Sequence, residues 1–449
     1  MPPNTEKPPV GTAEKIKRIP GLRPTYHFLW AWLGSRIHKA PSSRMFVVGV
    51  TGTKGKTTTL ELINAILEAA GKRTALLSSL RMKVDKESAK NPTGNSMPGR
   101  ARLQAFLARA ARARCPYALI EVTSQGVAQH RHRFIEWNIG AITNLAPEHI
   151  EAHGSFEKYR KAKLDFLRYV VARGGKAFLN RDDGNFDSFS EALQEVAESK
   201  HKKDHEAAAL TIVAYARSDD WLRNYLPKVG PMRAVAQGEA PTFLLSDFNE
   251  ENVAAAVAIA REIGIGDAVI KDALTEFRGV PGRMEFLARG SYTAIVDYAH
   301  TPDSLAAAYK AAKPEPSPHY PEPRLICVLG AAGGGRDRWK RPEFGRIAAE
   351  QCDEIVLTDE DPYDEDPAAI IKEVRSGILG GDPDLANVHE IPDRREAIRK
   401  AIALAKPGDV VIGTGKGSED WIHVADGKKV PWNERQEFER ALAERDSGL

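Results

Sequence analysis

The sequence predicts an α/β protein: a P-loop central domain with a mostly parallel sheet, followed by a C-terminal Rossmann-like α/β domain. Three observations carry this. A glycine loop lies between a strand-like run, Met45–Val48, and a helical period at Leu60, Ile63, Leu67 and Ala70. Strand-like and helical patterns then alternate to the C-terminus, the signature of parallel strands covered by helices. Finally, 449 residues exceed one ordinary core, and 42% hydrophobic with 28% charged residues fits a globular enzyme or binder.

The loop reads Thr51-Gly52-Thr53-Lys54-Gly55-Lys56-Thr57-Thr58. Strand, glycines, Gly-Lys-Thr and helix, in that order, are the context of a phosphate-binding loop. Glycines let backbone N–H groups close around an anion, and the helix N-terminus adds a favourable field. Lys56 is expected on the outer phosphates of the ligand and Thr57 on Mg²⁺. The loop is a variant, because Val50 stands where the strict pattern has its first glycine. Strands are expected next at Thr74–Ser78, Ala118–Val122, Ala141–Asn144, Ala177–Asn180 and Ile212–Tyr215. Ligands in such sheets bind at the carboxyl ends of strands, where Glu121 and Asn144 fall. Val280-Pro281-Gly282-Arg283 punctuates the chain. A second set of strands follows, at Thr293–Asp297, Leu325–Leu329, Glu354–Thr358, Val388–Ile391 and Val410–Gly413. The expected domains are 1–44, a short tail and helix; 45–282, binding ATP; and 283–449.

Charge narrows the function. With 64 basic and 61 acidic residues the net charge is +3, which argues against broad binding to nucleic acid. Cys115, Cys327 and Cys352 lack metal-ligand spacing and read as reduced and buried in a cytoplasmic protein. Met1–Val10 reads as a disordered tail. The apolar stretch Phe28–Leu33, with Arg36, Ile37 and Lys39 beyond it, is too short to span a bilayer. Packing on its own protein is the favoured reading, with membrane-surface contact the alternative.

Glu121 ends a strand across from the loop, a natural place for a Mg²⁺ ligand. Downstream come Thr143–His149 and His153–Lys163. With Phe248–Asn252, Gly282–Glu285, Asp297–Pro302, Arg336-Asp337 with Lys340–Pro342, Asp393–Ile398 and Gly415–Glu419, the order of motifs resembles the Mur ligase family. These are the ATP-dependent amino-acid ligases of peptidoglycan (cell-wall) synthesis, and the likeness is closest to the MurE type. It covers nearly everything from Met45 onward.

The resemblance implies roles. Gly52 to Thr58 hold ATP, with Lys56 catalytic and Thr57 on the first Mg²⁺. Glu121, His149 and Lys163 serve a second Mg²⁺, with Lys163 matching a lysine that the family often carbamylates. Asn252, Arg283 and Asp297 grip the nucleotide from the far side. Thr123, Gln129 and Arg131 contact a UDP-MurNAc-peptide-like donor, while Gly415 and Glu419 lie near the incoming free amino acid. The implied reaction forms an acyl phosphate, then an amide. It uses parts of two domains, so closure on ATP is expected, in a monomer.

The sequence departs from the family in places. Only 44 residues precede Met45, fewer than the family's uridine-binding domain, and the helix around Phe28–Ile37 is a candidate replacement. Gln125 and Ser418 stand where histidine is common. Asp361-Pro362-Tyr363 replaces the Asp-Asn-Pro-Arg of diaminopimelate-adding enzymes, and Tyr363 cannot form a bidentate ion pair. That leaves the acceptor open. The acidic run Asp359–Asp366 suits a cationic acceptor or is a solvated loop. A folylpolyglutamate-synthase-like ligase and a lapsed nucleotide-binding scaffold are the competing functions.

Overall fold

The computed structural model describes residues 22–91, 95–99, 101–146, 154–204, 211–226, 247–289, 291–335, 338–378 and 387–447. Met1–Val10, His149, His153 and Arg336-Asp337 lie outside them. The chain forms two compact units, residues 1–225 with 250–277, and 226–249 with 278–449.

The first unit is built on eight strands: β1 (Phe46–Thr51), β2 (Thr74–Leu77), β3 (Arg81–Val84), β4 (Glu87–Lys90), β5 (Tyr117–Glu121), β6 (Ile139–Ile142), β7 (Lys176–Asn180) and β8 (Ile212–Tyr215). Their order is β4-β3-β2-β5-β1-β6-β7-β8. All pairs are parallel except β2–β3 and β3–β4. Strand β1 is apolar because both its faces are covered; Val47, Val48 and Val50 are fully buried. It lies between β5 and β6, whose chain connections leave in opposite directions. That reversal opens a crevice at the strand ends, and the glycine loop fills it. The core on one side of the sheet joins Val47, Leu77, Ile120, Trp137 and Phe166.

The hairpin β3–β4 escaped sequence reading. Arg81–Val84 alternates weakly, and every residue of β4 is exposed, so neither strand carries an apolar signal. A helix Leu22–Ile37 precedes the sheet. Its Phe28 ring packs edge-on against Phe134 at 5.2 Å, as expected of a helix held on its own protein.

The second unit has six strands: β9 (Glu285–Arg289), β10 (Thr293–Val296), β11 (Leu325–Leu329), β12 (Glu354–Leu357), β13 (Val388–Glu390) and β14 (Val410–Gly413). The order is β13-β12-β11-β14-β10-β9, parallel except for β9. Strand β14 sits between β10 and β11, again creating a crevice at carboxyl ends. A hairpin of β15 (Trp421–His423) and β16 (Lys429–Pro431) follows.

The cysteine reading needs one correction. Cys327 and Cys352 are joined in a disulfide with Cα atoms 6.1 Å apart, and Cys115 is free and buried. Cys327 lies in β11, and Cys352 caps the helix Lys340–Gln351 that returns the chain to β12. The 25-residue separation resembles no motif, so spacing could not reveal the pair.

Candidate active site

In the first unit the chemistry gathers where β1 runs into the helix Lys56–Ala69. Gly52 (φ 143°) and Gly55 (φ 79°) occupy backbone conformations open mainly to glycine. A Cβ on Gly52 would overlap the Thr143 hydroxyl, and one on Gly55 the Asn252 side chain. The loop is pinned from β6. Thr53 N and Lys54 N donate to the Asn144 carbonyl and Oδ1, both at 2.9 Å, and Thr143 Oγ1 donates to Lys54 O at 2.5 Å. Two loop amides are therefore spent internally. The anion seat is left to the helix start, whose first N–H groups have no intrahelical acceptor.

Four candidate side chains converge there. Lys56 Nζ donates back to Gly52 O (2.9 Å) and Thr53 O (2.8 Å), which holds its ammonium over the loop. Thr57 Oγ1 donates to Glu121 Oε2 at 2.7 Å. Glu121 is 3% exposed at the end of β5 and also accepts from Ser79 N at 3.0 Å. Hydroxyl and carboxylate oxygens clustered this tightly are the donor set of a hard cation such as Mg²⁺. Lys163, 1% exposed on the helix Phe156–Val171, reaches Gly52 O at 2.6 Å with its Nζ 4.5 Å from the Tyr159 ring centroid. Tyr159 in turn bonds Thr53 Oγ1 at 3.0 Å. Thr58 is buried in the first helical turn. Asn252, on the helix Asp247–Glu262, accepts from Thr59 Oγ1 at 3.2 Å.

Thr123 caps the helix Ser124–Ala128, accepting from Gly126 N at 3.1 Å. Arg131 donates to Gln129 Oε1 at 2.5 Å and to the Met97 carbonyl. Both line a cleft with His27, Trp30, Pro98 and Gln104, so the N-terminal helix forms part of its wall. Burial lowers the Arg131 pKa, and its Nε is buried without a partner. Sequence reading passed over Ser79, because a serine after a strand is commonplace. It also passed over Tyr159, whose signal was its position one turn before Lys163.

In the second unit the named residues also sit at strand ends. Asp297, just past β10, accepts from Met284 N and Ala299 N, both at 2.7 Å. Arg283 lies over the Tyr298 ring, Cζ 4.2 Å from its centroid. Tyr298 OH donates to Glu419 Oε1 at 3.0 Å. Burial, with Glu419 next, raises the Tyr298 pKa well above its usual value. Buried Lys416 bridges Asp361 (2.9 Å) and Glu419 (2.7 Å).

The acidic run is largely engaged internally. Asp361 pairs with Lys416, Glu365 with Arg341, and Asp364 accepts from Asp426 N. Glu360 is buried beneath Gly415, and that burial pushes its carboxyl up to about 7. Tyr363 stacks on His423 with centroids 5.1 Å apart. Beneath these loops, buried Arg394 binds Glu434 (2.6 Å), Thr414 O (2.6 Å) and Asp359 O (3.0 Å).

Comparison with known proteins follows the same division. The Mur ligase middle domain matches residues 50–260, and the Mur ligase glutamate ligase domain matches residues 282–417. The UDP-N-acetylmuramoyl-L-alanyl-D-glutamate–2,6-diaminopimelate ligase of Thermosynechococcus vestitus is 37% identical over 421 residues, 92% of this chain and 80% of that protein. The UDP-N-acetylmuramyl-tripeptide synthetase of a Roseiflexus species is 36% identical, covering 95% of this chain and 84% of its own. A solved diaminopimelate ligase superposes with a TM-score of 0.63 at 27% identity, covering 94% of this chain and 83% of that one. Folylpolyglutamate synthase of Mycobacterium tuberculosis, at 15% identity and a TM-score of 0.61, shares the fold. The chain belongs to the Mur ligase family and is of the MurE type.

Proposed function

We propose that this protein joins an amino acid to the terminal carboxylate of a UDP-MurNAc-peptide-like donor, at the expense of ATP, in peptidoglycan precursor synthesis. The donor carboxylate attacks the γ-phosphorus, and the bond to the bridging oxygen breaks, releasing ADP. The acceptor nitrogen then attacks the acyl carbon, the carbon–oxygen bond breaks, and phosphate and a proton leave. The observation that carries this reading is the convergence of Lys56, Thr57, Glu121 and Lys163 on one glycine loop.

The residues have distinct tasks. Lys56 and the helix-start amides bind the phosphates and stabilise charge on the transferring group. Thr57 and Glu121 would hold Mg²⁺, which when bound offsets the repulsion between two anions. A second Mg²⁺ would use Glu121, His149 and carbamylated Lys163. Supporting a carbamate is the burial of Lys163 beside the loop. Labelled bicarbonate is expected to give a carbamate ¹³C resonance that Lys163→Arg lacks.

Asn252, Arg283 and Asp297 are assigned to the nucleotide, Thr123, Gln129 and Arg131 to the donor, and Gly415 and Glu419 to the acceptor. We take the enzyme to act in the cytoplasm as a monomer. Because Tyr363 supplies no guanidinium, the acceptor is left open, with lysine or another amino acid as candidates beside diaminopimelate. Amino-acid-dependent phosphate release, screened with muramyl-peptide and folate donors, tests the proposal. Turnover only with folate would overturn the proposal, and the best acceptor in the screen identifies the amino acid.

A further inference from the structure

The Leu22–Ile37 helix has two apolar faces. Phe28 points inward, edge-on to His130 and Phe134 at 6.1 and 5.2 Å, while Gly34 and Ser35 are buried. Leu29 (53% exposed), Trp32 (42%), Leu33 (40%) and Ile37 (60%) point outward. Positions 29, 32, 33 and 37 follow the i, i+3, i+4, i+8 spacing of a single helical stripe. Arg36 shares the stripe, its guanidinium 5.9 Å from the Trp32 ring centroid. The only other large exposed apolar residues among those described are Trp339, Trp421 and Val430, all in the second unit. A contiguous apolar stripe on one element marks an interaction surface.

Charge indicates what it meets. Residues 1–44 carry eight Lys or Arg against two Glu, a net +6. The whole chain carries +3, so the remaining residues sum to −3. The net positive charge thus comes from the first 44 residues, and residues 22–44, which include the stripe, hold Arg23, Arg36, Lys39 and Arg44 with no acidic residue. Trp, Leu and Ile flanked by Arg and Lys is the composition of helices that lie in a bilayer interface. Among the described residues no helix is long and apolar enough to cross a membrane. Other occupants fit poorly. Met1–Gly21 offers few apolar side chains, chiefly Val10, Ile16 and Ile19, among prolines and charges. A second copy would bring two cationic segments together.

We propose that the outer face of the Leu22–Ile37 helix docks this protein on an anionic lipid surface. Leu29, Trp32, Leu33 and Ile37 enter the interface, while Arg36 and Lys39 engage the headgroups. The docking is reversible and weakens with salt.

The test is co-sedimentation of the full chain with phosphatidylcholine vesicles, with and without phosphatidylglycerol. We expect binding to the phosphatidylglycerol vesicles, little to phosphatidylcholine alone, and a loss of at least about tenfold for Trp32→Ala/Leu33→Ala. Arg36→Glu/Lys39→Glu is expected to reduce binding to the phosphatidylcholine level. An unchanged thermal shift with Mg·ATP confirms that the variants remain folded. Protein left in the supernatant with anionic vesicles, or binding indifferent to Trp32→Ala/Leu33→Ala, would overturn the proposal. So would a concentration-dependent dimer that the same double variant abolishes, because the face would then belong to a second copy.

Discussion

At the scale of single residues, the phosphate loop does most with few atoms. Lys56 sits where its ammonium can turn from the loop carbonyls to a phosphate without moving its backbone. Lys56→Ala is expected to lower kcat by on the order of 10²–10³ with little change in the donor KM, because it removes charge stabilisation that matters most in the transition state. Glu360 gives a pH prediction. Its pKa is raised by burial from the ordinary value to about 7 in the folded state. The native protein therefore binds more protons at this site than the unfolded chain between those values. Its stabilising effect is complete below the unfolded pKa and is lost as pH rises through about 7. In urea titrations from pH 4 to pH 8, Glu360→Gln should remove a downward slope of at most about 1.4 kcal/mol per pH unit. A slope unchanged by the substitution contradicts the assignment. Lys56, Thr57 and Glu121 were legible in the sequence because residue type, spacing and strand-end position agreed. Glu360 was legible only as one acid in a run, because its burial under Gly415 depends on how two strand-end loops fold together.

At the scale of elements, both sheets place their chemistry at the crevice where strand order reverses. Most parallel strands could be read from their apolar runs, since burial on both faces leaves no polar alternation. The strands that escaped, β3, β4, β9, β15 and β16, lie at edges or in hairpins, and β4 and β16 are exposed at every residue. The elements are also braced by buried charge. Arg394 ties the Arg394–Leu404 helix to Glu434 at the start of the last helix and to the loops after β12 and β14. Both side chains are almost fully buried, and Trp432 Nε1 donates to the same carboxylate at 2.7 Å. Arg394→Ala strands Glu434 without its counter-charge, so we expect a loss of about 3–5 kcal/mol in chemical denaturation. A double variant, Arg394→Leu/Glu434→Leu, should recover much of that stability, because breaking one partner costs more than removing both. Activity should remain impaired in the double variant, since the Thr414 and Asp359 carbonyls lose their shared donor.

At the scale of the whole molecule, motif order along hundreds of residues was stronger than any single motif, and it matched the two family domains in sequence. The Cys327–Cys352 bond and the outward stripe of the N-terminal helix were not legible, since each depends on side-chain placement that spacing does not encode. Nucleotide binding should be visible in global stability. Mg·ATP at about a hundred times its Kd is expected to stabilise the protein by about 2.7 kcal/mol. The shift should be largely lost in Gly52→Ala, where a methyl would overlap the Thr143 hydroxyl. Equal shifts in parent and variant contradict a role for this loop in binding.

The most direct measurement is phosphate release from ATP, with donor and amino acid supplied separately and together. We expect sustained release only when a muramyl-peptide donor and an amino acid are both present, amide product in equal amount, and near-complete loss in Lys56→Ala. Release that ignores the donor, or a Lys56→Ala enzyme that forms amide at the parent rate, would contradict carboxyl activation at this loop.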